Sequence, residues 1–179
     1  MRRRGFIVVA AGIAAAAPLS AFGQNDQAGL RARLLLPAEP VDPLTPTAAK
    51  ETLAGKDAPP GPQALVIAGR VGAKGMEPFL ENKASFVLQE IPDDHGGKAG
   101  HDADNCPFCK KRSANAPMVA VQFLGVDGKV IPVDARTLFG LKKGQDVVVS
   151  GKAVFDPKLA IPVIQLTADA IHVRKPAKK

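Results

Sequence analysis

The chain has 179 residues, 24 Lys and Arg against 17 Asp and Glu, and a formal net charge of +7. Arg2, Arg3 and Arg4 hold three of those charges and Arg174, Lys175, Lys178 and Lys179 hold four, so residues 24–173 carry no net charge. The basic balance belongs to the ends and does not show a basic binding face on the domain, and two cysteines make no disulfide framework.

Residues 1–23 read as a cleavable signal peptide. Three arginines are followed by the apolar run Phe6–Pro18, and Ala21 and Gly23 put small residues three and one positions before Gln24. An uncleaved anchor is the alternative, but the run is alanine-rich and shorter than the roughly 20 strongly apolar residues a membrane span wants. Arg3-Arg4-Gly5-Phe6-Ile7 also resembles the twin-arginine export signal, which serves proteins that fold before they cross. The general secretory route remains open beside it. Either way the protein is expected to be exported, to the periplasm or outside the cell. No second apolar run follows, so no transmembrane segment is expected in the mature chain.

Residues 24–62 contain Pro37, Pro40, Pro43, Pro46, Pro59, Pro60 and Pro62. Because proline fixes φ and lacks a donor, this segment reads as a flexible, extended linker. It allows one short helix around Thr47–Leu53, capped by Thr47.

From residue 63 to residue 174 the pattern is that of one small β domain. Residues 64–73 form a first strand with Gly69 and Gly72 available for bending. Ala84–Pro92 is a second, with Phe86 and Leu88 apolar. Met118–Leu124 is a third, placing Val119, Val121 and Phe123 on one face. The turn Asp127-Gly128 leads into a short strand at Val130–Val133. Asp134 is placed to cap a short helix through Phe139 that sends Leu138 inward. Asp146–Phe155 sets Val147, Val149 and Phe155 against Val148, Ser150 and Lys152. Ile164–Val173 closes the set, and its phase slips near Ala168–Ala170 as at a bulge. Residues 175–179 form a basic tail.

Five main strands, a glycine-bent first strand and a helix between the third and fourth resemble the OB-fold. The stretch Leu141-Lys142-Lys143-Gly144-Gln145-Asp146-Val147-Val148-Val149-Ser150-Gly151, a turn feeding a strand, carries the likeness best. The expected fold is all-β, a small five-stranded OB-like barrel with one short helix; a small β-sandwich is the alternative. The resemblance invites a nucleic-acid-binding reading, with bases stacked on aromatic residues of the second and third strands. The chain has no Trp and no Tyr, Phe86 and Phe123 sit in apolar phases, and the domain carries no net charge. That reading is therefore the weaker one.

Chemistry concentrates in the 25-residue insertion 93–117, which holds His95, His101, Cys106, Cys109 and the acids Asp93, Asp94, Asp102 and Asp104. Cys106-Pro107-Phe108-Cys109 has the spacing at which two thiolates reach one metal from a tight turn. His101 is the best third ligand and His95 the best fourth, with Asp102 or Asp104 in reserve, and glycines 96, 97 and 100 let the chain return. Such a donor set suits zinc, with copper also admitted. The Lys110 that follows departs from the usual glycine of zinc knuckles.

Competing readings of the same motif are a plain disulfide, a thiol–disulfide redox couple and covalent haem. A redox couple wants its first cysteine at a helix N-terminus after a strand, a context the sequence does not announce. Covalent haem wants a histidine where Lys110 stands. No nucleophile elbow, phosphate loop or paired carboxylates mark an enzyme. The reading is an exported metal-binding accessory or binding module, with an unspecified protein or small molecule as partner. A thiol redox protein is the runner-up.

Overall fold

The computed structural model describes residues 23–56, 58–92, 106–158 and 163–175. The alternating apolar stretches become five strands, β1 (Gln63–Val71), β2 (Ser85–Gln89), β3 (Met118–Phe123), β4 (Asp146–Phe155) and β5 (Val163–Val173). They close into one barrel in the order β1-β2-β3-β5-β4, with β3 and β5 parallel and every other pair antiparallel. The architecture is the small all-β, OB-like barrel expected from the sequence.

Period two decides the interior. Val119, Val121 and Phe123 of β3 and Phe86 and Leu88 of β2 are buried on one face. Full burial of each such side chain stabilises by about 1.5–3 kcal/mol. The phenylalanines touch in a chain through the core, with ring centroids 6.4 Å apart for Phe86 and Phe123 and 4.8 Å for Phe123 and Phe139. Phe86 and Phe123 are therefore core residues, withdrawn from any base-stacking role.

Closure depends on two glycines. A Cβ on Gly69 would stand 2.9 Å from the Leu88 side chain, so only glycine lets β1 lie so close to β2. At Gly151 a Cβ would strike the Thr167 carbonyl, at the point where the β4–β5 register shifts between Ser150 and Gly151. Ser150 pairs with Ala170 and Gly151 with Ala168, leaving Asp169 over as the bulged residue. This is the phase slip expected near Ala168–Ala170.

The helix between β3 and β4 is α4 (Ala135–Phe139), numbered after three helices described below. Asp134 accepts from the Arg136 amide at 2.9 Å, and Gly140 ends the helix in the left-handed region at φ 73°. Leu138 and Phe139 both point into the barrel. The expected strand at Val130–Val133 is only an isolated bridge between Leu124 and Val130, too brief to form a ladder.

Two expectations need correction. The segment 24–62 is not an extended linker. It forms α1 (Gly23–Leu34) and α2 (Pro46–Ala54), and between them the chain lies along the barrel as a strap. The Leu36 amide donates to Ile171 O, and Leu44 exchanges backbone hydrogen bonds with Val66 and Ala68, so the strap occupies stretches of β5 and β1 left unpaired by their neighbours. Leu34 and Ala49 enter the core outright. Arg31 donates to Leu138 O at 2.9 Å, and Arg174 and Glu39 form a 2.6 Å ion pair. The cap of α2 is Thr45, with Pro46 at its first position, while Thr47 instead bonds Glu90 through both its amide and its hydroxyl. Pro46 starts a helix here, and the other prolines lie in the strap between the helices and after α2.

On β4, Val147 and Val149 are buried as expected, but so is Val148. Its register partner His172 holds the Leu36 carbonyl at 3.1 Å, so the strap runs over this outer face. Phe155 is only half-buried, with Lys50 Nζ 5.5 Å from its ring centroid.

Candidate functional site

The second strand ends at Gln89, and the chain returns to the barrel at Met118. The last part of that excursion forms α3 (Pro107–Asn115). Its start follows from local chemistry. Cys106 stands at the cap position, Pro107 takes the first helical position, where a missing N–H costs nothing, and the Cys109 amide donates to Cys106 Sγ at 3.4 Å. Sulfur thus does what serine or aspartate does at most helix starts. At the far end, Lys74 Nζ donates to Ala116 O at 2.7 Å and ties the return to the loop after β1.

The two cysteines differ sharply in environment. Cys106 is half-buried, and Cys109, one turn on, is 2% exposed. The Cys106 thiol is held below its ordinary range, first by the Cys109 amide, then by a hydrogen bond from the Cys109 side chain, with the Phe108 amide adding to them. Partial desolvation opposes these donors without cancelling them. Phe108, between the two sulfurs, is 82% exposed.

The sequence places four ligands in this loop, and the structure brings two together. Cys106 and Cys109 share the first turn of α3. His101 and His95 lie outside the described residues, as do Asp93, Asp94, Asp102 and Asp104. Among the described residues, no three His, Cys, Asp or Glu side chains converge. Two thiolates one turn apart with an N–H···S bond fit half of a tetrahedral sulfur–nitrogen site. His172 serves elsewhere, bonded to the strap through Leu36 O.

Sequence reasoning missed α3 itself and the exposure of Phe108. It treated the motif as a bare turn, because Lys110-Lys111-Arg112-Ser113 shows no apolar stripe. The one available signal was proline directly after a residue able to accept a hydrogen bond. Beside α3 lies an open cleft of about 640 Å³ bounded by Thr47, Lys50, Glu51, Asn115 and Pro117. It joins the end of α3 to the second strap helix. No helix among the described residues is long and apolar enough to cross a membrane.

No protein-family model and no curated protein matches this chain. Among solved structures, it is similar to Rim1, a mitochondrial single-stranded DNA binding protein from S. cerevisiae, at 14% identity and a TM-score of 0.37. That alignment covers 66% of this chain and 100% of the other.

Proposed function

We propose that the protein is an exported metal-binding module in which Cys106 and Cys109 hold one zinc ion together with His101 and His95, and that the barrel is its scaffold. The observation that carries this reading is the paired placement of both sulfurs on the first turn of α3, with an amide already donated to Cys106 Sγ. Metal knuckles need that arrangement, because a thiolate ligand carries excess negative charge that backbone donors offset. Bound zinc would add ligand bonds to a segment whose Gly, Asp and Lys residues offer little apolar surface to offset conformational entropy. Copper is the other ion the donors admit. Export through the twin-arginine route fits this chemistry, since thiolates would reach an oxidising compartment already protected by metal.

Elemental analysis and thiol counting on protein matured in its native host test the proposal. One metal per chain and two alkylatable thiols after denaturation are expected. Cys106→Ser should abolish metal binding, and His101→Ala should weaken it more than His95→Ala. Metal should leave as acid protonates thiolates and imidazoles. Metal-free protein carrying a Cys106–Cys109 disulfide would overturn the reading. N-terminal sequencing should find Gln24 first, and intact Met1 in a membrane fraction would overturn the export assignment.

A further inference from the structure

The two sulfurs of the motif are chemically unequal, which a closed metal site does not require. Cys106 is half-buried at the head of α3, and Cys109 is 2% exposed beneath it. Their side chains are hydrogen-bonded to each other, and the Cys109 amide also points at Cys106 Sγ. Cys106 is thus the sulfur more open to another molecule, and Cys109 is the more buried one, directly against it.

We infer that the metal-free pair is a thiol–disulfide exchange couple, with Cys106 as the attacking sulfur, Cys109 as the resolving sulfur and disulfides of polypeptides as the substrate. The inference goes beyond metal binding and needs neither histidine. In the first step the Cys106 thiolate attacks one sulfur of the substrate disulfide. That S–S bond breaks, and one substrate cysteine leaves as a thiolate, which takes a proton from water. In the second, Cys109 gives its proton to water and attacks Cys106 Sγ. The mixed disulfide breaks and the other substrate thiolate leaves. The substrate gains two electrons and the pair loses two, ending as a Cys106–Cys109 disulfide. A small thiol or a second protein dithiol resets it, and the reverse sequence inserts a disulfide.

Phe108 selects the substrate class. Its ring stands 82% exposed between the two cysteines, where it can lie against an apolar side chain flanking a substrate disulfide. Oxidised glutathione offers no such side chain, and a polypeptide does.

The test uses the full mature chain, stripped of metal with a chelator and reduced. The probes are a cyclic peptide with leucine beside each cysteine of its disulfide, and oxidised glutathione. Wild type should reduce one peptide disulfide per chain and become lighter by two hydrogens. Cys109→Ser should stop at a mixed disulfide located on Cys106 by mass spectrometry, and Cys106→Ser should lose the reaction. The peptide should react faster than oxidised glutathione. A Cys106→Ser variant that reacts like wild type, or a Cys109→Ser variant that traps no adduct, would overturn the assignment. Equal rates for the two probes would overturn the polypeptide class. Should either serine variant lose the barrel's thermal transition, substoichiometric alkylation of wild type decides instead: Cys106 labelled first supports the assignment, and Cys109 first overturns it. Metal content of the protein as isolated is read separately, so the two readings can fail independently.

Discussion

Two segments outside the barrel strands, the strap and the described part of the excursion between β2 and β3, join the barrel on different terms. The strap, residues 23–56, carries prolines 37, 40, 43 and 46, and the loop, residues 93–117, carries a charged residue at eight of its 25 positions. The strap sends Leu34 and Ala49 into the core, packs Leu30, Leu35, Leu44 and Leu53 against it, and occupies unpaired stretches of two strands. The described part of the loop buries Cys109 and Ala116 and is tied back by Lys74. A few apolar side chains at the right intervals are enough to recruit a polar segment into a fold. Where they are missing, order must come from another source, such as a metal ion or a covalent bond.

Truncation of the strap should show the larger effect. Leu34 is 7% exposed and belongs to the main core cluster, so Leu34→Ala should destabilise the whole domain by about 2–5 kcal/mol in chemical denaturation. A cost below about 0.5 kcal/mol would mean that the strap is a loosely attached tether, and the contrast with the loop would collapse.

Next in size is Arg31→Ala. Its guanidinium reaches the Leu138 carbonyl near the end of α4, one of the last acceptors that a helix leaves without an internal partner. Losing that bond should cost about 1 kcal/mol, read as a lower denaturation midpoint with an unchanged denaturant dependence. A changed slope would indicate that the strap unfolds separately from the barrel.

Glu39→Gln probes the strap's other anchor through pH. The hydrogen bond from Arg174 holds the Glu39 carboxyl below its ordinary range. A carboxylate depressed in the folded state contributes stability above its unfolded value, and that contribution is lost as pH falls through the folded one. The Arg174 and Glu39 side chains are 31% and 37% exposed, so the pair is worth at most about 1 kcal/mol and weakens with salt. Glu39→Gln should flatten part of the acid limb of the stability profile. Asp134, held low chiefly by Arg136, should keep the remaining acid sensitivity. An acid limb identical to wild type would show the strap anchored without this pair.

What was legible in the sequence follows the same division. The strands could be read because period two is a strong signal when one face is buried, and α4 because Asp134 and Gly140 mark both its ends. The bulge at Asp169 was visible as a broken phase. The strap is not legible because proline density suggests continuous extension, whereas Pro46 starts a helix and the leucines of α1 lie amid Gln, Asp, Gly and Arg. Alternation alone points Val148 outward, and it does not contain the strap that bonds the register partner His172 on that face. In the site, the cysteine pair was legible from spacing alone, but the helix it opens was not, since cysteine is an unusual cap and α3 has no apolar stripe. Environment decides which sulfur is exposed, and no spacing rule contains that.

The smallest effect is expected at Phe108, and it sharpens the contrast most directly. Phe108→Ala removes a ring that is already 82% exposed, so almost no transfer free energy is lost on truncation. Alanine is also the better helix former, which at the second position of α3 works slightly in the variant's favour. The net change in barrel stability should stay within about 0.5 kcal/mol. The same truncation at Phe123, fully buried between Phe86 and Phe139, should cost about 3–5 kcal/mol. Two identical substitutions thus separate an exposed ring from a packed one. If Phe108→Ala lowers stability by more than about 1 kcal/mol, the ring must pack on the domain in solution, and the loop is bound to the barrel as the strap is.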